Sequence, residues 1–280
     1  MRIAQLAGRP VLLTDEGGIP RAVPVPAELA TDLFAHWDDL REWSRSATGT
    51  RPYDPADLQA PGLPTPRQIF AVALNYRPHT AEAGYEEPSA PLVFTKFPTC
   101  LTGPNTTVDL PPGNVDWELE LVAVIGREAH KVPREKGWDP VVALTVGQDL
   151  SERIAQLAGR PAQFSLAKSH PGFGPVGPAL VSLDEIDAVG HRDDLELTCE
   201  LNGEVVQYDR TANMIFPVPQ LVAYLSEFCT LLPGDLIFTG TPAGVGNRRT
   251  PQRFLTPDDE LVSRIGGVGE MRHRFRRATP

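Results

Sequence analysis

The sequence has few features that would tie it to a membrane, to a nucleic acid or to a disulfide-stabilised fold. It contains three widely spaced cysteines, and this odd number predicts a reduced cytoplasmic protein without a disulfide framework. No apolar run approaches the roughly 20 residues of a membrane span. The formal charge of −10 disfavours nucleic acid and anionic membranes as partners. A composition of 41% hydrophobic and 22% charged residues indicates a soluble globular protein.

Motifs for nucleotide binding and for a nucleophilic serine are also missing. The stretch from Gly240 to Gly244 predicts a tight loop that could expose backbone N–H groups. It is not followed by the GKS or GKT of a phosphate-binding loop, and no GxGxxG opens a helix. A GxSxG nucleophile elbow is absent as well. The sequence therefore favours neither a nucleotide-dependent enzyme nor a serine hydrolase.

Predicted strands outnumber predicted helices, and strands and helices alternate only weakly. This pattern favours a mixed α/β, β-rich fold over a doubly wound sheet. Little periodicity over residues 45–68 predicts a linker, and hence a small N-terminal α/β domain at 1–65 and a main domain at 66–280. The predicted strands lie at 1–14, 69–74, 92–96, 115–126, 141–149, 195–208 (a hairpin around Asn202-Gly203), 235–240 and 261–265. The predicted helices run from Pro26 to Leu40 and over 79–84, 150–158 and 218–230.

The strand predicted at 115–126 carries charge on one face only. Alternate residues share a face, so Trp117, Leu119, Leu121, Ala123 and Ile125 form an apolar side. Glu118 and Glu120 point the other way, beside two valines, and Asp149 ends the strand at 141–149. Buried together, such carboxylates need a cation, and oxygen ligands suit Mg²⁺, Mn²⁺ or Ca²⁺. The same pattern also fits an exposed edge with solvated glutamates. Asp116 is expected at the rim of any such site.

Other candidate residues lie outside this strand. His79 and Glu82 are three apart on a short helix that Gly84 would end, so Glu82 could orient His79 as a general base. Lys168, in an apolar segment, could stabilise an oxyanion. A loop histidine beside an unrelated acid and a lysine with its ammonium in solvent fit these positions too. Arg153 and Gln156 follow Asp149 at the spacing of one helix face.

These pieces, in their order along the chain, resemble the fumarylacetoacetate hydrolase family. The resemblance covers about residues 68–270. It rests on Ala73-Leu74-Asn75-Tyr76 with His79 and Glu82, Phe94-Thr95-Lys96, Val115 to Glu120, Asp149 to Arg153 with Gln156, Ala167-Lys168-Ser169, Gly174 to Pro178, and Pro233 to Gly246. The sequence departs from the family pattern at four places. Pro78 precedes His79 where Asp is common, Gln148 stands where Asn is usual, and the run from Thr256 to Asp259 replaces the usual Lys-Pro-Gly-Asp. His170-Pro171-Gly172 follows Lys168-Ser169 where a Phe-Asp-Thr-like run is common, and this change is expected to bear most on substrate identity.

The resemblance implies a β-sandwich-like roll that forms a homodimer. It implies Mg²⁺ or Mn²⁺, with Ca²⁺ as a substitute in crystals, held by Glu118, Glu120 and Asp149. It makes His79, Glu82 and Lys168 catalytic, with the first two on a lid. The implied substrate contacts are Arg77, Phe94, Lys96, Arg153, Gln156 and Thr241.

The substrates implied by the resemblance are 2-oxo or 1,3-dioxo acids. We expect hydrolysis of a C–C bond in a 2,4-dioxo acid such as an acylpyruvate or a fumarylacetoacetate-like acid. The alternatives are isomerisation, hydration or decarboxylation of a 2-oxo acid at the same metal site. A catalytically silent binding protein on this fold is a third hypothesis.

The nine residues from Arg2 to Pro10 recur identically from Arg153 to Pro161. Their flanking sequences do not match, so this is not a structural repeat of the solenoid kind. Tertiary context overrides intrinsic propensity, so one copy can be a strand and the other a helix.

Overall fold

The structure is a computed structural model and describes residues 1–48, 50–61, 65–84 and 86–278. The strands are β1 (Arg2–Leu6), β2 (Arg9–Glu16), β3 (Ile19–Pro24), β4 (Arg51–Pro52), β5 (Leu58–Gln59), β6 (Ile69–Ala73), β7 (Leu92–Thr95), β8 (Leu101–Thr102), β9 (Thr107–Leu110), β10 (Val115–Asp116), β11 (Leu119–Ile125), β12 (Val141–Gln148), β13 (Ser151–Glu152), β14 (Gly174–Ser182), β15 (Glu196–Leu201), β16 (Glu204–Arg210), β17 (Leu236–Phe238), β18 (Glu260–Ile265) and β19 (Gly269–Arg277). The helices are α1 (Ala27–Ala30), α2 (Trp37–Ser44), α3 (Arg77–Ala83), α4 (Arg153–Leu157), α5 (Leu183–Val189) and α6 (Val218–Phe228). Within the described ranges, no helix has the length and apolarity needed to span a membrane.

Most strands join one large, mainly antiparallel sheet. Its order is β4-β3-β2-β1-β14-β12-β11-β17-β6-β7, with β5 beside β1 and β8 beside β14. A second sheet has the order β16-β15-β18-β19-β9, and β10 and β13 form a small separate ribbon. The hairpin predicted at 195–208 is β15 and β16, and its turn residues Asn202 and Gly203 have φ of 55° and 81°. The predicted β-rich, mixed α/β fold class is confirmed.

Strand β11 is buried on both faces at the centre of the molecule. Its odd-numbered residues, such as Leu119 and Leu121, share a core with Leu197 and Leu261 of the second sheet. Val122 and Val124 pack in another core that includes Trp37 and Leu40 of α2. The prediction that odd-numbered and even-numbered residues of this strand occupy opposite faces is therefore confirmed. The alternative of a solvent-exposed edge is wrong, because neither side of this strand faces water.

The segment 115–126 is not one continuous strand, as the sequence predicted, because it breaks at Trp117 and Glu118. On one side of the break β10 pairs with β13, and on the other β11 pairs with β12 and β17. Two side-chain amides take the place of ladder partners at the break. Gln148 Oε1 accepts from the N–H of Glu118 at 2.9 Å, and Gln207 Oε1 accepts from the N–H of Leu119 at 3.0 Å. These bonds satisfy two buried backbone N–H groups at the interruption.

The strands of the first 60 residues extend the large sheet through the β1–β14 pair. The single helix predicted from Pro26 to Leu40 is instead two helices, α1 and α2. Asp32 Oδ1 accepts from the N–H groups of Phe34 and Ala35, both at 3.1 Å, a local bond that competes with helix continuation. The predicted linker contains β4 and β5, and its residues 49 and 62–64, like residues 279–280, lie outside the described residues. The domain boundary at 65/66 stays a prediction.

The two identical segments have different structures, as predicted. Residues 2–6 are strand β1, paired with β2, β5 and β14. Residues 153–157 are helix α4, and the carboxylate of Glu152 accepts from the N–H groups of Ile154 at 3.0 Å and Ala155 at 2.7 Å. Sheet neighbours determine one conformation, and an N-terminal cap outside the repeat determines the other.

Candidate active site and metal centre

The three carboxylates predicted as metal ligands lie together in the interior. Glu118 lies in the break before β11, Glu120 follows on the same face, and Asp149 comes directly after β12. Pairing of Leu119 with Gln148 brings these strand ends side by side. The three residues offer oxygen atoms that all lie within 4.8 Å of one another. Oxygen-only donors at this spacing could hold a hard divalent cation.

Electrostatics at the cluster also fit a cation. Burial raises the pKa of Glu120 well above its ordinary value, and the charges of Asp149 and Glu118 raise it further. Burial acts on Glu118 in the same direction, but Lys168 and Arg153 outweigh it and lower the pKa of Glu118 to about 2. A divalent cation would stabilise Glu120 in the ionised form that a ligand requires.

Lys168 connects the cluster to the cavity above it. Its Nζ donates to Glu118 Oε2 and to Asp149 Oδ2, each at 2.7 Å. Burial lowers the pKa of Lys168, but Asp149 and Glu118 raise it above the ordinary value, so the ammonium stays charged. An ammonium has three N–H donors, which leaves one for the cavity. The Phe94 ring lies 5.2 Å from Nζ and covers this face of the lysine.

Two predicted substrate contacts, Lys96 and Arg77, do not line the cavity. Lys96 lies beneath the cluster, where Nζ donates to Asp149 Oδ1 at 2.6 Å, to the Phe173 carbonyl at 3.2 Å and to the Lys168 carbonyl. All three of its donors are therefore used within the protein. Arg77 points away from the cavity and donates to the carbonyl of Met214 at 3.1 Å. Lys96 thus supports the carboxylates from below, whereas Arg77 ties α3 to the loop before α6.

Asp116 is fully buried, so its expected place at the rim is wrong. Its Oδ2 accepts from Arg153 Nε at 2.9 Å and Nη2 at 2.7 Å. It also accepts from the N–H groups of Gly246 at 2.7 Å and Asn247 at 2.9 Å. Arg153 in turn lies 2.8 Å from Glu118 Oε1. Asp116 therefore fixes both the arginine and the turn that follows the Gly240 loop.

The short helix α3 carries the predicted histidine and acid. His79 Nδ1 lies 3.1 Å from Glu82 Oε2, and His79 is 8% exposed. Both oxygens of Glu82 accept from the N–H of Gly244, at 3.1 and 3.3 Å. The predicted helical turn and its end at Gly84, where φ is +75°, are confirmed. The imidazole is therefore held between its own helix and the loop at 240–246.

A cavity of about 820 Å³ opens over the cluster. Its wall brings together six of the predicted site residues with Glu118, and aliphatic and aromatic side chains supply much of the rest. The polar lining includes His79, Glu118, Arg153, Gln156, Lys168 and Thr241, and the apolar lining includes Val72, Leu74, Leu92, Phe94, Phe164 and Val245. Glu120 and Asp149 lie behind this wall. His170 is not part of it and packs on Phe173, with ring centroids 4.9 Å apart.

Thr241 is tied to the scaffold by a residue that the sequence did not single out, Gln207. The Thr241 hydroxyl donates to the Leu119 carbonyl at 2.9 Å and accepts from Gln207 Nε2 at 2.9 Å. Its one proton is therefore committed, and toward a substrate this oxygen could only accept. Gln148 is anchored similarly, since its Nε2 donates to Ser263 Oγ at 2.9 Å. The departure at Gln148 was visible in the sequence, but its partner on the second sheet was not.

Comparison with known proteins extends the match found in the sequence. Residues 68–276 match the family model described as fumarylacetoacetate (FAA) hydrolase, C-terminal. A crystal structure from Mycobacterium smegmatis, of a protein with the provisional name HpcE, is 49% identical, with TM-score 0.89 and 100% of both chains covered. The 2-hydroxyhepta-2,4-diene-1,7-dioate isomerase of Mycobacterium marinum is 31% identical, with TM-score 0.77, over 100% of this chain and 98% of that one.

A curated relative, the mitochondrial oxaloacetate tautomerase FAHD2A of Bos taurus, is 38% identical over 206 residues. That match covers 73% of this chain and 65% of the tautomerase, so the chain spans about two thirds of the length of that relative.

Proposed function

The chain belongs to the fumarylacetoacetate hydrolase family, and on that premise we propose that it hydrolyses a C–C bond in a 2,4-dioxo acid with the help of Mg²⁺ or Mn²⁺. One observation supports this proposal above all. His79, whose Nδ1 lies 3.1 Å from Glu82 Oε2, lines the same cavity as Glu118 and Lys168. A candidate base, a charged donor and a candidate metal ligand thus border one space.

The charges of the site favour an acidic substrate. The buried carboxylates are Asp116, Glu118, Glu120 and Asp149, and the buried cations are Lys96, Arg153 and Lys168. With every group ionised the cluster has one excess negative charge, and a divalent ion changes this to one excess positive charge. When bound, the metal supplies a Lewis acid for the oxygens of the 2-oxo carboxylate. The loaded site would attract a carboxylate, whereas the protein as a whole is anionic.

The protein's own donors can orient such a substrate. Arg153 Nη1 donates to Gln156 Oε1 at 2.8 Å, which leaves the Nε2 group of Gln156 free as a donor. Lys168 lines the same cavity and has one further N–H to donate. These donors suit carboxylate and carbonyl oxygens, and the apolar wall suits the carbon chain.

The histidine supplies the proton transfer. With Nδ1–H directed to Glu82, His79 Nε2 carries a lone pair and takes a proton from water that attacks the C4 carbonyl. The N–H of Lys168 stabilises the oxyanion. The C3–C4 bond then breaks, its electrons form the enolate of the smaller 2-oxo acid, and His79 returns a proton to C3. The products are a carboxylic acid and a 2-oxo acid.

Isomerisation or tautomerisation of a 2-oxo acid is the second candidate. The names of the Mycobacterium marinum and Bos taurus relatives support it. The same donors would hold the enolate, and His79 would move a proton between carbons without activating water. In H₂¹⁸O, hydrolysis places label in the released acid, whereas a rearranged product keeps the mass of its substrate.

The first test is a panel of acylpyruvates assayed with Mg²⁺ and with Mn²⁺. We expect His79→Gln to lower kcat by roughly 10²- to 10⁴-fold, the usual contribution of a general base, and to leave Mn²⁺ affinity unchanged. His191→Gln, at an exposed histidine, is the matched control. Full turnover by His79→Gln would contradict the proposed mechanism.

Two further properties belong to this proposal. We propose that the enzyme works as a homodimer in the cytoplasm. Its three cysteines are unpaired, which is consistent with a reducing compartment.

A further inference from the structure

A leucine with a left-handed backbone conformation lies on the cavity wall. Leu74 has φ of +55°, a region that favours glycine because the Cβ of any other residue crowds the following carbonyl oxygen. Among the described residues, the non-glycine residues with positive φ are Ala7, Leu74, Lys131 and Asn202. The other three are exposed, and asparagine tolerates this region. Leu74 is half-buried, and it alone of the four lines the cavity.

The chain on both sides of Leu74 holds it in this conformation. Strand β6 ends one residue before it and pairs with β17 and β7. The next residue, Asn75, is fully buried. Its Nδ2 donates to the carbonyl oxygens of Phe216 at 3.0 Å and Thr239 at 2.7 Å, and its Oδ1 accepts from the N–H of Phe216 at 2.8 Å. Because both neighbours are fixed, the direction in which the Leu74 side chain leaves the backbone is fixed as well.

A further hydrogen bond ties Leu74 to the helix that carries the proposed base. Thr80, the neighbour of His79 on α3, is buried. Its hydroxyl donates to the carbonyl oxygen of Leu74 at 3.1 Å and shares the proton with the carbonyl oxygen of Tyr76 at 3.0 Å. Leu74 and His79 both line the cavity. The turn and the helix therefore hold these two residues in a fixed position relative to each other.

The turn alone gives no reason for a leucine. Glycine would adopt this backbone conformation without strain. What leucine adds is an aliphatic side chain on the cavity wall, close in the chain to the histidine. Strained conformations persist where the surrounding structure over-determines them, and they concentrate at binding sites. An aliphatic side chain at such a place can contact the carbon atoms of a ligand and limit the space available to them.

We propose that Leu74 is a specificity-determining residue, which limits the size of the acyl group that the substrate carries at C4. The inference rests on the proposed function, because that function places the C4 carbonyl at His79. Since Leu74 is fixed relative to His79, its side chain borders the carbon chain beyond this carbonyl. The strained backbone lowers stability and in return directs an aliphatic side chain at the variable part of the substrate.

A series of acylpyruvates with straight-chain acyl groups of about two to eight carbons tests the size limit on the Mn²⁺-loaded protein. Leu74→Ala and Leu74→Gly should move the optimum of kcat/KM to longer acyl groups. The ratio of kcat/KM for long over short substrates should rise about tenfold or more, because one methylene group in an apolar pocket already has an effect of this size. The melting temperature of Leu74→Gly should exceed that of Leu74→Ala, since glycine relieves the backbone strain.

Ala7→Gly is the matched control, because Ala7 has φ of +50° but is exposed and is not part of the cavity wall. It should raise the melting temperature and leave the order of substrates unchanged. The same order of substrates in the wild type and both Leu74 variants would overturn the size limit. A Leu74→Gly variant that melts below Leu74→Ala would overturn the strained backbone on which the inference is built.

Calorimetric binding of straight-chain 2-oxo acids of increasing length to the same Mn²⁺-loaded proteins separates this inference from the proposed hydrolysis. Suppose that the protein hydrolyses no acylpyruvate but that the Leu74 variants bind longer acids than the wild type does. That result supports the role of Leu74 and refutes the hydrolysis. Hydrolysis with one size limit in all variants has the opposite meaning. A wild type that neither hydrolyses nor binds any of these acids refutes both.

Discussion

Glu120 has the fewest cationic contacts of the three clustered carboxylates. Lys168 and Arg153 bind Glu118, and Lys96 and Lys168 bind Asp149. In the described structure, Glu120 has only the N–H of Gly240, at 2.7 Å, as a hydrogen-bond donor. Its raised pKa makes it the carboxyl that carries a proton when no metal is bound.

Metal binding should therefore release a proton from Glu120. Below the raised pKa of this group, protons compete with the ion, so Mn²⁺ affinity should fall by up to about tenfold per pH unit as the pH is lowered. Calorimetry in buffers of different ionisation enthalpy measures the release. Glu120→Gln should weaken Mn²⁺ binding and abolish the release, whereas Glu128→Gln, on the surface, should change neither. Undiminished proton release in Glu120→Gln would show that another group titrates.

The sequence indicated the site's carboxylates because alternation along a strand is visible in sequence. It could not indicate what lies opposite them. Asp116 seemed peripheral, since its partners, Arg153 and the turn at Gly246, come from distant parts of the chain. The sequence does not reveal that Gln148 and Gln207 hydrogen-bond to the backbone at the strand break. Alternation of apolar and charged residues indicates which face a side chain occupies, but it does not show where the strand is interrupted.

The loop at 240–246 is the element that joins helix α3, which carries His79 and Glu82, to the rest of the site. Its residue Gly244 has φ +103° and donates to Glu82, and a Cβ there would overlap the carbonyl oxygen of Val206. This backbone conformation and this lack of space require glycine. The orientation of His79 thus depends on a loop about 165 residues further along the chain.

Gly244→Ala should displace the loop and remove the hydrogen bond to Glu82. We expect kcat to fall with little change in Mn²⁺ affinity, and stability to fall by about 1–3 kcal/mol from backbone strain. Gly203→Ala is the matched control, because Gly203 has φ +81° but open space around it in the hairpin turn. It should show the cost in stability without the loss of kcat. A fall in kcat of equal size in both variants would argue against the link through Glu82.

Element boundaries show where local sequence loses its predictive value. The hairpin at Asn202-Gly203 was predictable because its turn requires positive φ at both residues. The helix from Pro26 was not, because the apolar spacing continues through the turn that Asp32 forms. The segment RIAQL, a strand at 2–6 and a helix at 153–157, contains no local signal that separates the two outcomes. The sheet neighbours of residues 2–6 decide one outcome, and the cap by the preceding Glu152 decides the other.

At the scale of the whole molecule, a buried histidine links stability to pH. His273 on β19 is 1% exposed, and its Nε2 lies 3.1 Å from the Gly103 carbonyl. Its Nδ1 has no hydrogen-bond partner among the described residues. Burial lowers the pKa of His273 to about 4, although the Gly103 carbonyl acts in the opposite direction. The folded protein therefore keeps this imidazole neutral where an unfolded chain would be protonated.

This shift predicts acid sensitivity between pH 6.5 and pH 4. Its contribution to stability is fully present above about pH 6.5, the unfolded pKa, and is lost as the pH falls toward 4, with a total of about 3 kcal/mol. Denaturant unfolding of His273→Phe across this range should show a flatter pH dependence than the wild type. His191→Phe, at an exposed histidine, should retain the wild-type slope. An unchanged slope in His273→Phe would assign the sensitivity to other groups.

The two glutamines at the strand break, Gln148 and Gln207, connect the candidate metal ligands to the contact between the two sheets. Gln207 belongs to the second sheet and Gln148 is anchored to Ser263 on it, while both hold the backbone beside Glu118. Pairing of β11 with β12 within the large sheet already brings the carboxylates side by side, but the backbone at the break takes its hydrogen bonds from one glutamine of the second sheet and from another that is anchored on it. We therefore expect the geometry of the carboxylates at the break to depend on the contact between the two sheets, and a bound ion to resist their separation. A metal ion held by these carboxylates would then stabilise the contact between the two sheets in addition to its proposed part in the chemistry.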